Sequence, residues 1–386
     1  MAEPLGRYVD LKRGTTYRGN LLGKTGPVLL GLASIEPNGG FRRTSLKTYG
    51  GDSPASITLE PGDIYVSLKD VTQSGDLLGA VARVPSDVAL GRLTQDTVKL
   101  VLKPGASADY LYWLLRTPQY RDYCRARATG TTNLGLARDD FLSFPVPEPT
   151  QVRQKLVDLL GALDDKIELD RRMNETLEEI ARTTFAGFVN RLDRRSGRFG
   201  DIASLRRVGV DPAEAVSTTP YIALEHMPRR SIALTDWGTL DGVVSGKSAF
   251  EAGSILFGKL RPYFHKAGIA PIAGACSTDI LVIEPRSPAW FAFALMHASS
   301  DAFVAYADAT SSGTKMPRAS WKDLASYELS LPTEDQARAL DIQIRPLVDR
   351  IVHNVHESRT LAELRDALLP KLISGELRVR DAEKAL

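Results

Sequence analysis

Two segments come within one residue of a loop that cradles phosphate. Gly19-Asn20-Leu21-Leu22-Gly23-Lys24-Thr25 and Gly242-Val243-Val244-Ser245-Gly246-Lys247-Ser248 carry its glycines, lysine and hydroxyl. Both leave three residues between the glycines where that loop needs four, and neither has a clear strand before it and a helix after it. Thr219-Pro220-Tyr221 is one proline short of the adenine methyltransferase signature and has no glycine-rich cofactor loop upstream. Asp164-Asp165-Lys166 has the residue types of a metal-dependent nuclease but sits in the middle of a helical pattern whose other charges are equally solvated. Cys124 and Cys276 stand apart, without metal-ligand spacing around either and too few for a disulfide framework. No nucleophile–base pair with a third orienting group is legible, so the expectation is a chain without catalytic residues, resident cofactor or metal.

The elements behind these residues belong to an ordinary globular chain. Of its 386 residues, 43% are hydrophobic and 25% charged, and the length calls for two or more domains. No apolar run approaches the ~20 residues of a membrane-spanning helix, and the opening Met1-Ala2-Glu3-Pro4-Leu5-Gly6-Arg7 lacks the pattern of a signal peptide. A cytoplasmic protein with no membrane partner is expected. The net charge of +2 is unevenly spread, with +3 over residues 1–150 and +2 over 194–332, against −2 over 151–193 and −1 over 333–386. A solvated mixed surface would look the same.

The chain repeats itself in order more than in identity. Leu59-Glu60-Pro61-Gly62-Asp63-Ile64 returns as Phe250-Glu251-Ala252-Gly253-Ser254-Ile255, and Gly130-Thr131 returns as Gly313-Thr314. Phe141-Leu142-Ser143-Phe144 returns as Leu324-Ala325-Ser326-Tyr327, and Asp165-Lys166-Ile167 as Asp349-Arg350-Ile351. A period of roughly 183–194 residues is a duplicated half-molecule, far beyond solenoid repeats. Each half reads as an α+β globular part followed by one long helix. Strands are expected at Val28–Leu32, Ile64–Leu68 and Val98–Leu102, and again at Tyr221–Leu224, Ser254–Phe257 and Asp279–Ile283. Short helical patterns lie near Asp109–Tyr123 and Ala289–Ala307.

The long helices give the clearest periodicity. In the first, apolar residues fall at Val152, Leu156, Leu159, Leu163 and Ile167, then Met173, Leu177 and Ile180. In the second they fall at Leu340, Ile344, Val348, Ile351, Val355, Leu361, Leu364 and Leu368. Near-heptad spacing suits a coiled coil or bundle seam, and the economical arrangement packs the two helices on each other as an antiparallel coiled coil. Thr150 and Thr333 suit N-caps. Pro346 predicts that the second helix starts or breaks there.

These residues together resemble the specificity subunits of type I restriction-modification systems. The resemblance rests on Ser254-Ile255-Leu256-Phe257-Gly258-Lys259-Leu260-Arg261-Pro262-Tyr263 leading to Cys276-Ser277-Thr278-Asp279, then Gly313-Thr314-Lys315-Met316-Pro317 and Trp321. It continues in Leu364-Arg365-Asp366-Ala367-Leu368-Leu369-Pro370-Lys371-Leu372-Ile373-Ser374-Gly375-Glu376-Leu377. In the first half, Ala128-Thr129-Gly130-Thr131-Thr132-Asn133-Leu134 and Leu163-Asp164-Asp165-Lys166-Ile167-Glu168 take the same parts. Each motif is short and tolerant; their order, met twice, carries the likeness. The glutamine-led segment that opens the family's helix is loose here, with Gln151 and Gln154 competing in one copy and Gln336 ahead of Pro346 in the other.

The resemblance implies two target-recognition domains, residues 1–150 and 194–332, each reading half of a split site on double-stranded DNA. It implies spacer helices over 151–193 and over 333–386 with the tail, and internal pseudo-two-fold symmetry. Two methyltransferase subunits would carry S-adenosylmethionine and methylate adenine, with optional translocase-nuclease subunits for restriction. On that footing the candidate DNA contacts are Arg42, Arg43, Lys47, Lys69, Lys259, Arg261, Tyr263 and Lys266, with the loops Gly130-Thr131-Thr132-Asn133 and Gly313-Thr314-Lys315 beside Arg318. Plain alternatives stand beside them: solvated loop arginines, tight turns before strands, a core tyrosine and a structural His265. Arg121, Arg125 and Arg127 form a basic helical edge that suits DNA or solvent equally. A helical adaptor holding proteins rather than DNA is the competing function.

Overall fold

The structure is a computed structural model that describes residues 2–44, 46–72, 74–131, 133–192, 195–313 and 315–375. The chain forms two compact units: one runs to Asp164 and resumes at Glu363, and the other spans Asp165–Ala362. Both are α+β, and both are built to one plan.

In the first unit four strands, Val9–Arg13 (β1), Ile64–Ser67 (β2), Val81–Arg83 (β3) and Thr97–Leu102 (β4), form an antiparallel sheet in the order β1-β4-β2-β3. In the second unit Ala203–Leu205 (β5), Ile255–Gly258 (β6), Ala267–Ile269 (β7) and Ile280–Pro285 (β8) repeat it as β5-β8-β6-β7. Register repeats as well: Val66 faces Val98 as Phe257 faces Leu281. Beside each lies a second sheet, of three strands in the first unit and five in the second, containing one parallel pair, Val28–Leu30 with Gly91–Leu93 and Pro220–Ile222 with Gly274–Cys276. The six strands read from the sequence are all present, within a residue or two at each end. Their short β-branched and leucine-rich runs are buried, Ile64 to Ser67 and Ile280 to Ile283 along their whole length.

The helical patterns resolve into pairs. Ala108–Leu114 and Pro118–Ala126 in the first unit match Phe291–Ala298 and Asp301–Ala309 in the second. Thr117 and Ser300 cap the second helix of each pair, their hydroxyls accepting from the N–H of Tyr120 and of Phe303. Cys124 and Cys276 are buried, and burial pushes their thiols up to about 11 and about 12, so neither is a ready nucleophile at neutral pH.

Two long helices, Gln151–Val189 and Glu334–Leu368, run through both units. Within each unit their segments lie antiparallel. In the first, Asp164 pairs with Arg365 at 2.8 Å, and Arg153 donates to the carbonyls of Leu372 and Ile373. In the second, Lys166 pairs with Glu357 at 2.8 Å and Asn354 donates to Asn174 at 2.8 Å. The second helix begins at a capping box: the Thr333 hydroxyl accepts from the Gln336 N–H while the Gln336 side chain accepts from the Thr333 N–H. Contrary to expectation, it passes through Pro346. Pro346 and the carbonyl-bearing Ile342 one turn earlier are both exposed, so the carbonyl that loses its donor can reach water.

The stripe of the first helix also differs from its reading. Leu156, Leu160 and Leu163 are buried, and the same 4-3 rhythm continues through Ile167, Asp170, Asn174, Leu177 and Ala181. Leu159, Ile167 and Leu177 are half-buried, but Val152 and Ile180 are exposed. The apolar count slips out of phase at Met173 because the true seam positions there are polar. Asp170 is fully buried beside Lys166, and Glu178 accepts from the Ile232 N–H, the Ser231 hydroxyl and Arg182. On the second helix Val348, Ile351, Val355 and Leu368 are buried, and Leu361 and Leu364 half-buried. Leu340, Ile344, Val348, Ile351 and Val355 enter the core of the second unit, against Phe291, Phe293 and Leu295.

In that core His297 is ringed by Phe185, Phe293 and Tyr327, and desolvation pushes its pKa down to about 4. Its neutral form is the one the fold accepts. Its contribution is therefore complete above the unfolded value near 6.5 and is lost as pH falls toward 4. His297→Phe is expected to gain on the wild type by roughly 1 kcal/mol per pH unit across that window in urea unfolding; a constant difference between the two would refute the assignment. The polar seam makes a second expectation. Asn174→Ala leaves the buried Asn354 amide unpaired and should cost about 1–3 kcal/mol. Replacing both asparagines by leucine should restore most of that loss, and failure to do so would show that the pair does more than satisfy itself.

Candidate nucleic-acid interface

The two glycine loops have one geometry. Thr129 and Gly135 exchange both backbone hydrogen bonds, at 2.9 and 2.8 Å, closing a loop that starts at Gly130. Ser312 and Arg318 exchange theirs at 3.1 and 2.9 Å, closing a loop that starts at Gly313. Gly130 and Gly313 have φ of +99° and +101°, a region that side chains rarely enter, which explains the residue type at both. Thr131, Asn133 and Lys315 are exposed on the loops, while Thr132 and Thr314 lie outside the described residues.

Each loop is tied to the segment that follows a middle strand of its main sheet. Lys69 pairs with Gly135, and Leu260 with Arg318. By this register Lys69 corresponds to Leu260, the residue before Arg261. A carboxylate that the sequence reading passed over secures both ties. Asp96 holds Lys69 at 3.3 Å, and its counterpart Asp279 holds Arg318 at 3.1 Å. The cation arrives from opposite sides of the paired segments, while the aspartate stays in place. The signal was available in the sequence, since Asp96 and Asp279 are separated by one repeat period.

The turns behind the loops are held by internal hydrogen bonds. In the first unit buried Asp70 accepts from the N–H groups of Thr72 and Leu77, at 2.6 and 2.7 Å. Arg121 is buried and donates to the carbonyls of Gly75, Asp76 and Leu78, so it props this turn from inside and is no part of a basic edge. Arg125 pairs with Asp76, and Arg127 stacks on Tyr123. In the second unit Arg261 takes a left-handed φ of +51° and its N–H donates to the Pro317 carbonyl at 2.7 Å. Lys259 lies in the same place, its N–H donating to the Asp279 backbone carbonyl and its own carbonyl accepting from the Ala319 N–H.

Other candidates are placed differently. Tyr263 is exposed rather than core, edge-on to Phe264, which Arg229 covers. Lys266 donates its ammonium to the Leu224 carbonyl, and burial, then the nearby Arg229, lowers its pKa, so its proton-bearing end is held inside the fold. His265 is buried, and its Nε2 must carry the proton, because its partner there is the Ser299 carbonyl at 2.9 Å. Arg42 pairs with Glu36 and Arg43 with Asp87, beside the smaller sheet, where the Lys47 carbonyl accepts from Leu29. The structure thus brings Lys69, Gly130, Thr131 and Asn133 together in one unit, and Lys259, Arg261, Gly313, Lys315 and Arg318 in the other. The phosphate-loop near-misses are not such loops: a short 3-10 turn occupies Gly19–Leu21, and Lys247 is buried at the start of a strand with its ammonium on Ser245.

No protein-family model matches the chain. The MjaIX type I restriction enzyme specificity subunit of Methanocaldococcus jannaschii is 23% identical over 322 residues, spanning 73% of this chain and 72% of the relative. The EcoDI type I specificity subunit of Escherichia coli is 28% identical over 186 residues, which cover 47% of this chain and 41% of the relative. Among solved structures, the S subunit of a type I restriction-modification system from M. genitalium matches with a TM-score of 0.58 at 15% identity, covering 96% of this chain and 95% of that one. The order of motifs and the curated relatives agree, and the fold fits them: this chain is a relative of the specificity subunits of type I restriction-modification systems.

Proposed function

We propose that the chain is a non-catalytic recognition subunit that reads an asymmetric, split target on double-stranded DNA. Residues 1–150 and 194–332 act as its two target-recognition domains, with 151–193 and 333–386 as the spacer segments. It directs adenine methylation by two partner methyltransferase subunits, which hold the S-adenosylmethionine, and optional translocase-nuclease subunits add restriction. One observation carries the reading: a single loop-and-latch geometry is built twice in one chain, with different side chains at the tips. A repeated scaffold with divergent tips suits two half-sites of different sequence, since base edges are told apart by side chains and position is fixed by the frame. Lys69, Gly130, Thr131, Asn133, Lys259, Arg261, Lys315 and Arg318 are the contacts this arrangement favours.

Sequencing of the methylated bases in the host, with and without this gene, tests the whole reading. Loss of one split adenine motif with unequal halves is expected. An unchanged pattern, with the methyltransferase partner expressed, would replace it with a protein-binding adaptor. At the level of residues, a Cβ on Gly130 would stand 2.3 Å from the Asn133 carbonyl oxygen. Gly130→Ala must therefore open the first loop, and the loss of one base contact should weaken target binding about 5- to 150-fold. The unfolding midpoint should barely move, because the loop is exposed. Unchanged affinity would remove this loop from the interface.

A further inference from the structure

The duplication places a cationic cavity at the same point of both units. In the first, a cavity of about 410 Å³ lies between the end of β1, the start of β4 and the loop-closing pair, and is lined by Arg13, Lys69, Asp96, Thr129, Gly135 and Arg138 among others. In the second, a cavity of about 390 Å³ is lined by Arg206, Arg207, Ser248, Lys259 and Thr278 among others. The register shows that the positions correspond. Arg13 faces Val98 on β4, and Leu205 faces Ile283 on β8, which sets Arg207 opposite Leu281, the counterpart of Val98.

The charges in these cavities are not all internally matched. Lys69 is paired with Asp96, and Arg206 is held between Glu251 and Glu284, at 2.9 Å each. Arg13 spends one donor on the Gln95 carbonyl at 3.0 Å, which fixes its guanidinium at the rim. Arg13, Arg138 and Arg207 are exposed, and none makes an ion pair among the described residues. Among the described residues no carboxylate lines the second cavity, and the one in the first already holds Lys69.

We propose that Arg13 and Arg207 are equivalent clamps for the DNA backbone phosphate, one in each unit. The inference rests on the DNA-reading function and adds to it which side of each unit faces the duplex. Contacts that read bases must differ between half-sites, and the loop tips do differ. Contacts that grip phosphate need not, and a guanidinium recurs at one register position in both units while the tips diverge. The planar fork of arginine suits two phosphate oxygens at once. The cavity in the first unit reaches Thr129 and Gly135, the pair that closes its loop, so a strand whose bases meet the loop has its phosphates beside the clamp.

The test uses the full chain and a 30-base-pair duplex lacking the target, then one carrying it, with affinity followed over about 50 to 300 mM salt. Arg13→Gln and Arg207→Gln should each flatten the plot of log K against log salt by about 0.9, and the double variant by about twice that, on both duplexes. Arg230→Gln, an exposed arginine paired with Asp301 away from both cavities, should leave the slope unchanged. Wild-type binding with unchanged slopes in the variants would overturn the clamps and leave the recognition function intact. A change in the preferred sequence instead of the slope would make these arginines base readers and overturn the assignment to phosphate. Failure of the wild type to bind either duplex would overturn both.

Discussion

The constraint on which the structure turns is the burial of a helical stripe that is not wholly apolar. Gln151–Val189 presents one continuous 4-3 seam, and in its middle that seam consists of Asp170, Asn174 and, beside it, Glu178. Polar groups in such a position must find partners or unfold the helix around them. They find them in Lys166, Asn354, Ser231 and the Ile232 N–H, all in the second unit. Each partner has a direction, so the pairing of the two helices within that unit has one register. The sheet and helices of the unit then close over Leu340, Ile344 and Ile351 from the other side.

Much of this plan was legible in the residues. The duplication could be read from motif order, the strands from short β-branched runs, and the helix starts from Thr150 and Thr333, whose hydroxyls meet the N–H groups of Arg153 and Gln336. What escaped was wherever tertiary contacts reverse the local meaning of a side chain. Ile180 reads as core and is exposed, whereas Asp170 and Asn174, which the apolar stripe does not include, are buried. Pro346 reads as a break, yet the helix needs only an exposed face there to continue. Arg121 reads as surface charge and serves as an internal brace, because three carbonyls of one turn converge on it.

The candidate interface divides along the same line. Gly130 and Gly313 announce themselves, because only glycine rests easily at their backbone angles. Asp96 and Asp279 do not, because an aspartate at the mouth of a strand has many ordinary uses, and its role depends on which cation the fold delivers to it. Comparison of the two units supplies what a single half cannot: a residue type kept at one register position while its surroundings change.

The loop-closing pairs Thr129–Gly135 and Ser312–Arg318 lie outside the main sheets and seal each tip with their own two hydrogen bonds. A substitution at Thr131, Asn133 or Lys315 therefore disturbs neither a ladder nor a core. Such positions can drift at almost no cost in folding, so the frame can outlast many rewritings of its tips. The chain is built so that the positions most free to change are insulated from those on which folding depends.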